Sequence, residues 1–132
     1  MNKLVLAVVV TLALAGTVAA ERQFADITRV DADKGIIEYT IYYGKKKDTD
    51  VKARVAKDCV IKEGYFRLGK PAQTKEMDDI PNGLNNQQFQ KATAEKPLRV
   101  NIYTADDDDK DKGIKAGDVI KILVNPPPAK IK

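Results

Sequence analysis

The 132-residue chain contains no histidine, no tryptophan and no serine, and it has a single cysteine, Cys59. Each absence removes a chemistry. Without Ser or His, a Ser-His-Asp site cannot be built within one chain, and without His a Cys-His nucleophile cannot either. His-ligated metal sites and CxxC zinc or redox pairs are excluded as well. One thiol also means no intramolecular disulfide framework. In the run Cys59-Val60-Ile61 the thiol reads either as a small buried hydrophobe or, if exposed, as the donor of an intermolecular disulfide. No Gly-rich phosphate loop is present, and after the first twenty residues no stretch is apolar enough to span a membrane.

What the chain does have begins with a leader. Met1-Asn2-Lys3 forms a short positive start, Leu4 to Ala20 is uncharged and mostly apolar, and Val18-Ala19-Ala20 is a small-residue cleavage site. Residues 1–20 are therefore expected to be a signal peptide, cut before Glu21, which places the protein in the periplasm or outside the cell. The alternative is an uncleaved anchor, with an apolar run at the lower edge of spanning length. Residues 21–125 are expected to form one domain, and 126–132 a Pro-rich flexible tail.

The apolar fraction is 43% and the charged fraction 32%, which argues for a folded domain over a disordered chain. Strand signals come in two blocks. In the first, Ala25–Asp31 precedes a turn at Asp31–Gly35. Ile36–Tyr43 then places Ile37, Tyr39, Ile41 and Tyr43 on one face. A second turn spans Gly44–Asp48. Val51, Ala53 and Val55 alternate with Lys52 and Arg54, and after a break at Lys57-Asp58 a short strand covers Cys59–Ile61. Residues 63–97 show little alternation. Within them Leu84–Ala94 predicts one short helix, with Asn82 as its cap and Leu84, Phe89 and Ala92 buried. In the second block, Leu98, Val100, Ile102 and Thr104 alternate, and Val119–Val124 returns. About six strands and one short helix in an insertion predict an all-β fold, a small OB- or SH3-like β-barrel.

The segments Arg29–Ile37, Asp58–Gly64 and Asp79–Phe89, with the later strand pair and its acidic turn, resemble small exported β-barrel proteins of planctomycete-type bacteria, a largely uncharacterised group. The resemblance implies export and a small barrel. It implies no activity.

Two charged features stand out. Asp106–Asp118 reads DDDDKDKGIKAGD, and with Asp107 at position 1, Asp109, Asp111 and Asp118 fall at positions 3, 5 and 12 of an EF-hand register. Lys112 stands where that register needs a Gly, and the flanks read as strands. The four aspartates are candidate ligands for Ca²⁺, the one cofactor the sequence suggests; the alternative is a solvated hairpin turn. Asp106–Lys110 also spells the recognition sequence of enteropeptidase, so an exposed loop would be nicked there. The second feature is basic. Lys45 to Lys75 holds ten basic and four acidic residues, whereas Glu76 to Asp111 holds four basic and nine acidic. Lys45, Lys46, Lys47, Lys52 and Arg54 form a candidate surface for a polyanion or a protein partner.

Paired carboxylates drawn from Asp26, Asp31, Asp33, Glu38, Glu63 and Glu76 would be needed for a hydrolase, but these residues read as turns and polar strand faces. The expectation is a monomeric, non-enzymatic binding or structural module of the cell envelope. Its partner would be an envelope protein or an acidic polymer, and export argues against nucleic acid. A Ca²⁺-dependent module is the alternative.

Overall fold

The structure, a computed structural model, describes residues 20–43, 45–67 and 70–126. The expected leader up to Ala19 and the tail from Pro127 lie outside the described residues. Six strands appear in chain order: β1 (Ala20–Asp31), β2 (Ile36–Tyr43), β3 (Lys46–Arg67), β4 (Gln73–Asp79), β5 (Leu98–Ala105) and β6 (Val119–Val124). Between β4 and β5 lie a 3₁₀ turn, Gly83–Asn85, and one short helix, α1 (Gln87–Gln90).

Hydrogen bonding runs in the order β2-β1-β5-β6-β3-β4, and an additional β2–β3 pairing closes five strands into a ring. The β3–β6 pairing is parallel and the others are antiparallel. The result is barrel-like, and the connectivity of the five ring strands is OB-like. β3 makes this possible because it is 22 residues long. Its first part, Lys46 to Arg54, pairs with β2, and its later part, Val60 to Glu63, pairs with β6. The register shifts between Val55 and Val60. The break expected at Lys57-Asp58 is thus a bulge that redirects one strand, and Cys59–Ile61 belongs to β3 rather than to a separate strand.

The alternation read from the sequence defines the inside of the ring. Ala25, Ile27, Ile37, Tyr39, Val100, Ile102, Val119 and Ile122 are buried together, and Val51, Ala53 and Val55 pack on them as partly buried neighbours. Each fully buried aliphatic side chain of this kind contributes about 1.5–3 kcal/mol relative to exposure. Tyr43 is not buried with Ile37, Tyr39 and Ile41. It pairs with Lys46 beside the turn of the β2–β3 hairpin and is exposed. The hairpin turn is also tighter than expected, because Lys46 and Lys47 already pair with Tyr43 and Tyr42.

The helix is much shorter than the stretch Leu84–Ala94 implies, and its cap is Asn86 rather than Asn82. The Asn86 side chain accepts a hydrogen bond from the Gln88 N–H at 2.9 Å. Asn82 is left-handed at φ 67° and makes no side-chain cap. The physical cause is local: Asn and Gln side chains compete for backbone groups and break a run that apolar spacing alone would allow. Phe89 is nevertheless fully buried and joins the main core cluster.

β4 was not expected. All seven of its residues are exposed, so no hydrophobic period marks it. It forms by pairing with β3, with a register shift between Lys62 and Gly64. A Cβ at Gly64 would lie 2.3 Å from the Lys75 carbonyl oxygen, so the close approach of the two backbones requires glycine there. Farther along β3, Phe66 meets Arg22 of β1, whose guanidinium carbon lies 3.6 Å from the ring centroid.

Candidate functional site

The inward face of the ring is filled by the apolar core, so the charged side chains are sorted on the outside. Two clusters there are satisfied internally. The first is centred on Asp26, which is buried although it alternates with the core residues Ala25 and Ile27. Its carboxylate accepts hydrogen bonds from the Tyr42 hydroxyl at 2.9 Å and from Arg99 Nε and Nη2 at 3.0 and 3.3 Å. The Arg99 guanidinium also lies 5.1 Å from the Phe24 ring. The bond to Asp26 pushes the Tyr42 phenol and the Arg99 guanidinium above their ordinary pKa values. The sequence carried no signal for this cluster, because its members come from three strands.

The second cluster joins residues that the sequence assigned to different sites. Arg54 of β3 pairs with Asp118, the residue before β6, through Nε to Oδ1 at 3.2 Å and through Nη2 to Oδ2. Nη2 also donates to the Gly113 carbonyl at 3.0 Å, and the Lys115 N–H donates to Asp118 at 2.9 Å. Burial pushes the Asp118 carboxyl up. The Arg54 and Lys115 hydrogen bonds and their charges outweigh that, so its pKa falls below the ordinary carboxylate value. The same pair raises Arg54. Arg54 is therefore a clasp on the acidic loop rather than an open cation.

The acidic loop folds on itself. Asp109 and Ile114 exchange backbone hydrogen bonds at 2.7 and 2.9 Å. The Asp109 carboxylate accepts from the Lys112 N–H at 3.3 Å, and Asp108 accepts from the Ala116 N–H at 2.8 Å. Gly113 supplies the left-handed residue of the turn at φ 68°. Asp107 and Asp111 are exposed. Of the aspartates read in an EF-hand register, Asp109 caps a 3₁₀ turn and Asp118 is held by Arg54. Among the described residues no group of three or more His, Cys, Asp or Glu is placed to hold a metal ion.

The remaining basic candidates stay open to solvent. Lys45, Lys46, Lys47 and Lys52 are exposed on the β2–β3 hairpin, and among the described residues no carboxylate pairs with their ammonium groups. Lys52 opposes Glu38 in the ladder and Lys47 opposes Tyr42. Beside them the outer face is concave. Arg29, Asp31, Lys34, Ile36, Glu38 and Lys52 line a depression of about 130 Å³ between the β1–β2 turn and β3. Two contacts shape it. The Lys34 N–H donates to Asp31 Oδ1 at 3.2 Å, which sets the turn, and Arg29 lies 3.7 Å from Glu38 Oε2. The Lys34 ammonium, like that of Lys52, has no carboxylate partner among the described residues. Of the cations here, sequence reasoning named only Lys52 as part of a binding surface. Arg29 lies on β1 and Lys34 in the β1–β2 turn, and the β1–β2–β3 pairing brings them to one face with Lys52.

A second, larger concavity of about 530 Å³ lies beneath the acidic loop and is mostly apolar, with Ala56, Val60, Tyr103, Ile114 and Ile120 in its wall. Cys59 is half-buried and packs against the core. Burial pushes its thiol up to about 12, so almost none of it is the reactive thiolate at neutral pH. That favours the buried-hydrophobe reading over an intermolecular disulfide.

Compared with known proteins, the chain matches no family profile, no curated protein and no solved structure.

Proposed function

We propose that the protein is an exported binding module of the cell envelope that holds an acidic polymer on the outer face of β1, β2 and β3. The observation that carries this reading is the set of lysines without a carboxylate partner among the described residues: Lys34 and Lys52 flank the depression, and Lys45, Lys46 and Lys47 extend the charge along the hairpin. Lysines without carboxylate partners are free to exchange their counterions for a polyanion. In OB-type domains the second and third strands and the adjoining loops are a recurrent place for binding extended polymers. A hydrolase is less well supported. Asp26 and Glu76 are ion-paired, and Asp31 and Glu38 share the depression with three cationic side chains rather than lying in the apolar pocket that a general acid needs.

The test is retention of residues 21–132 on an immobilised polyanion over a salt gradient. A variant carrying Lys45→Ala, Lys46→Ala, Lys47→Ala and Lys52→Ala should elute at clearly lower salt, whereas Lys91→Ala/Lys96→Ala should elute with the wild type. If the double variant shifts half as far as the quadruple one, in proportion to the charge removed, net charge alone sets retention and the reading falls.

A further inference from the structure

The depression holds two carboxylates among its cations, and a site for phosphate groups alone would exclude them. We propose that it is a subsite for one carboxylate-bearing sugar residue, so that the acidic polymer is a polyuronate-type polysaccharide. This inference rests on the reading of the β1–β2–β3 face as a polyanion surface and narrows it to one ligand class.

Three features of the lining support it. The Lys34 and Lys52 ammonium groups stand beside the depression with no carboxylate partner among the described residues, and a sugar carboxylate or its neighbour in the chain would supply one. Asp31 and Glu38 each have one carboxylate oxygen engaged, by the Lys34 N–H and by Arg29 respectively, and among the described residues the other oxygen is left to accept. A carboxylate is an acceptor only, so its natural partners are donors such as the hydroxyl groups of a sugar ring. A polyphosphate or a nucleic-acid backbone presents acceptors at the same place and would be repelled by both groups. Ile36 supplies the one apolar side chain of the lining, a surface for the C–H face of a ring. No aromatic side chain lines the depression, whereas single-stranded nucleic acid is held by stacking on aromatic rings.

The placement also suits a polymer. Lys52 opposes Glu38 and Lys47 opposes Tyr42, so the cationic track continues four residues along β2, about 13 Å at the usual strand rise. A chain seated in the depression would meet the hairpin lysines as it leaves.

The experiment compares two probes of matched charge, an oligogalacturonate and an inorganic polyphosphate, by titration calorimetry at low salt. The proteins are residues 21–132 and the single variants Lys52→Ala, Asp31→Asn and Glu38→Gln. All three changes are at partly or fully solvent-facing side chains, and melting curves check that each variant is folded. The wild type should prefer the oligogalacturonate. Lys52→Ala should weaken both probes. Asp31→Asn and Glu38→Gln should weaken the oligogalacturonate by about tenfold, the value of a hydrogen bond to a charged group, and tighten the polyphosphate. If both variants tighten both probes alike, the carboxylates are bystanders in a plain cationic patch: the subsite is refuted and the polyanion surface stands. If neither probe binds the wild type, both readings fall together.

Discussion

Arg54 and Asp118 lie 64 positions apart in the chain and form a two-point ion pair that fastens the β5–β6 loop to β3. Each residue was singled out from the sequence for a different role, one as an open cation and the other as a metal ligand. Their pairing gives them a joint structural role, which is to fasten the acidic loop to β3.

Arg54→Ala should destabilise the domain by about 1–3 kcal/mol, because it removes both guanidinium hydrogen bonds from the buried Asp118 carboxylate. For a domain of this size that is a fall of several degrees in Tm. Arg54→Lys should recover only part of the loss, since a lysine cannot make both contacts. The loop offers a second readout. Its backbone hydrogen bonds between Asp109 and Ile114 keep the enteropeptidase sequence out of the extended form a protease needs. Wild type should resist nicking after Lys110 and Arg54→Ala should be cut readily. Equal cutting rates would show that the clasp does not hold the loop.

The pH dependence follows from the directions of the shifts. The Asp118 carboxyl is lowered in the folded state, so its contribution is fully present above the unfolded value of about 3.9 and disappears as pH falls through the folded value. The Tyr42 phenol is raised, so its contribution is present below about 10 and disappears as pH climbs through the folded value. Denaturant midpoints measured across pH should show Asp118→Asn flattening the acid limb and Tyr42→Phe flattening the alkaline limb. A wild-type acid limb retained in Asp118→Asn would assign it to other carboxylates.

Calcium should leave the melting temperature where it is in EDTA. Ca²⁺ at about 10 mM is tenfold above the dissociation constant of a weak extracellular site, and binding to the folded state alone would add about 1.4 kcal/mol. The loop aspartates are not gathered for that, with Asp109 and Asp118 engaged elsewhere. A Ca²⁺-specific rise in Tm that disappears in Asp109→Asn would restore the metal site.

Gly64→Ala should cost about 1–3 kcal/mol by overpacking, because its Cβ would meet the Lys75 carbonyl oxygen. The damage should centre on the β3–β4 hairpin, seen as faster amide exchange at Lys75 and Glu76 than at Val100 in the ring. Uniform acceleration across the domain would mean that the hairpin does not open separately.

The sequence by itself marked most of the ring strands and the inward faces of β2 and β5. Ile37, Tyr39 and Ile41, or Val100 and Ile102, alternate with polar neighbours, and a period of two is a local property of an extended backbone. It also marked the basic hairpin, since charge needs no fold to be counted. The tertiary structure decided the rest, for reasons that are not local. β4 has no buried face, so only its pairing with β3 reveals it. The helix starts only at Gln87, where the Asn86 side chain caps it, and not at Leu84. Which charges are open and which are spent depends on what the closed ring brings together: Arg54 meets Asp118 and Arg99 meets Asp26, while Lys34 and Lys52, drawn from a turn and a strand, are left facing solvent across one depression.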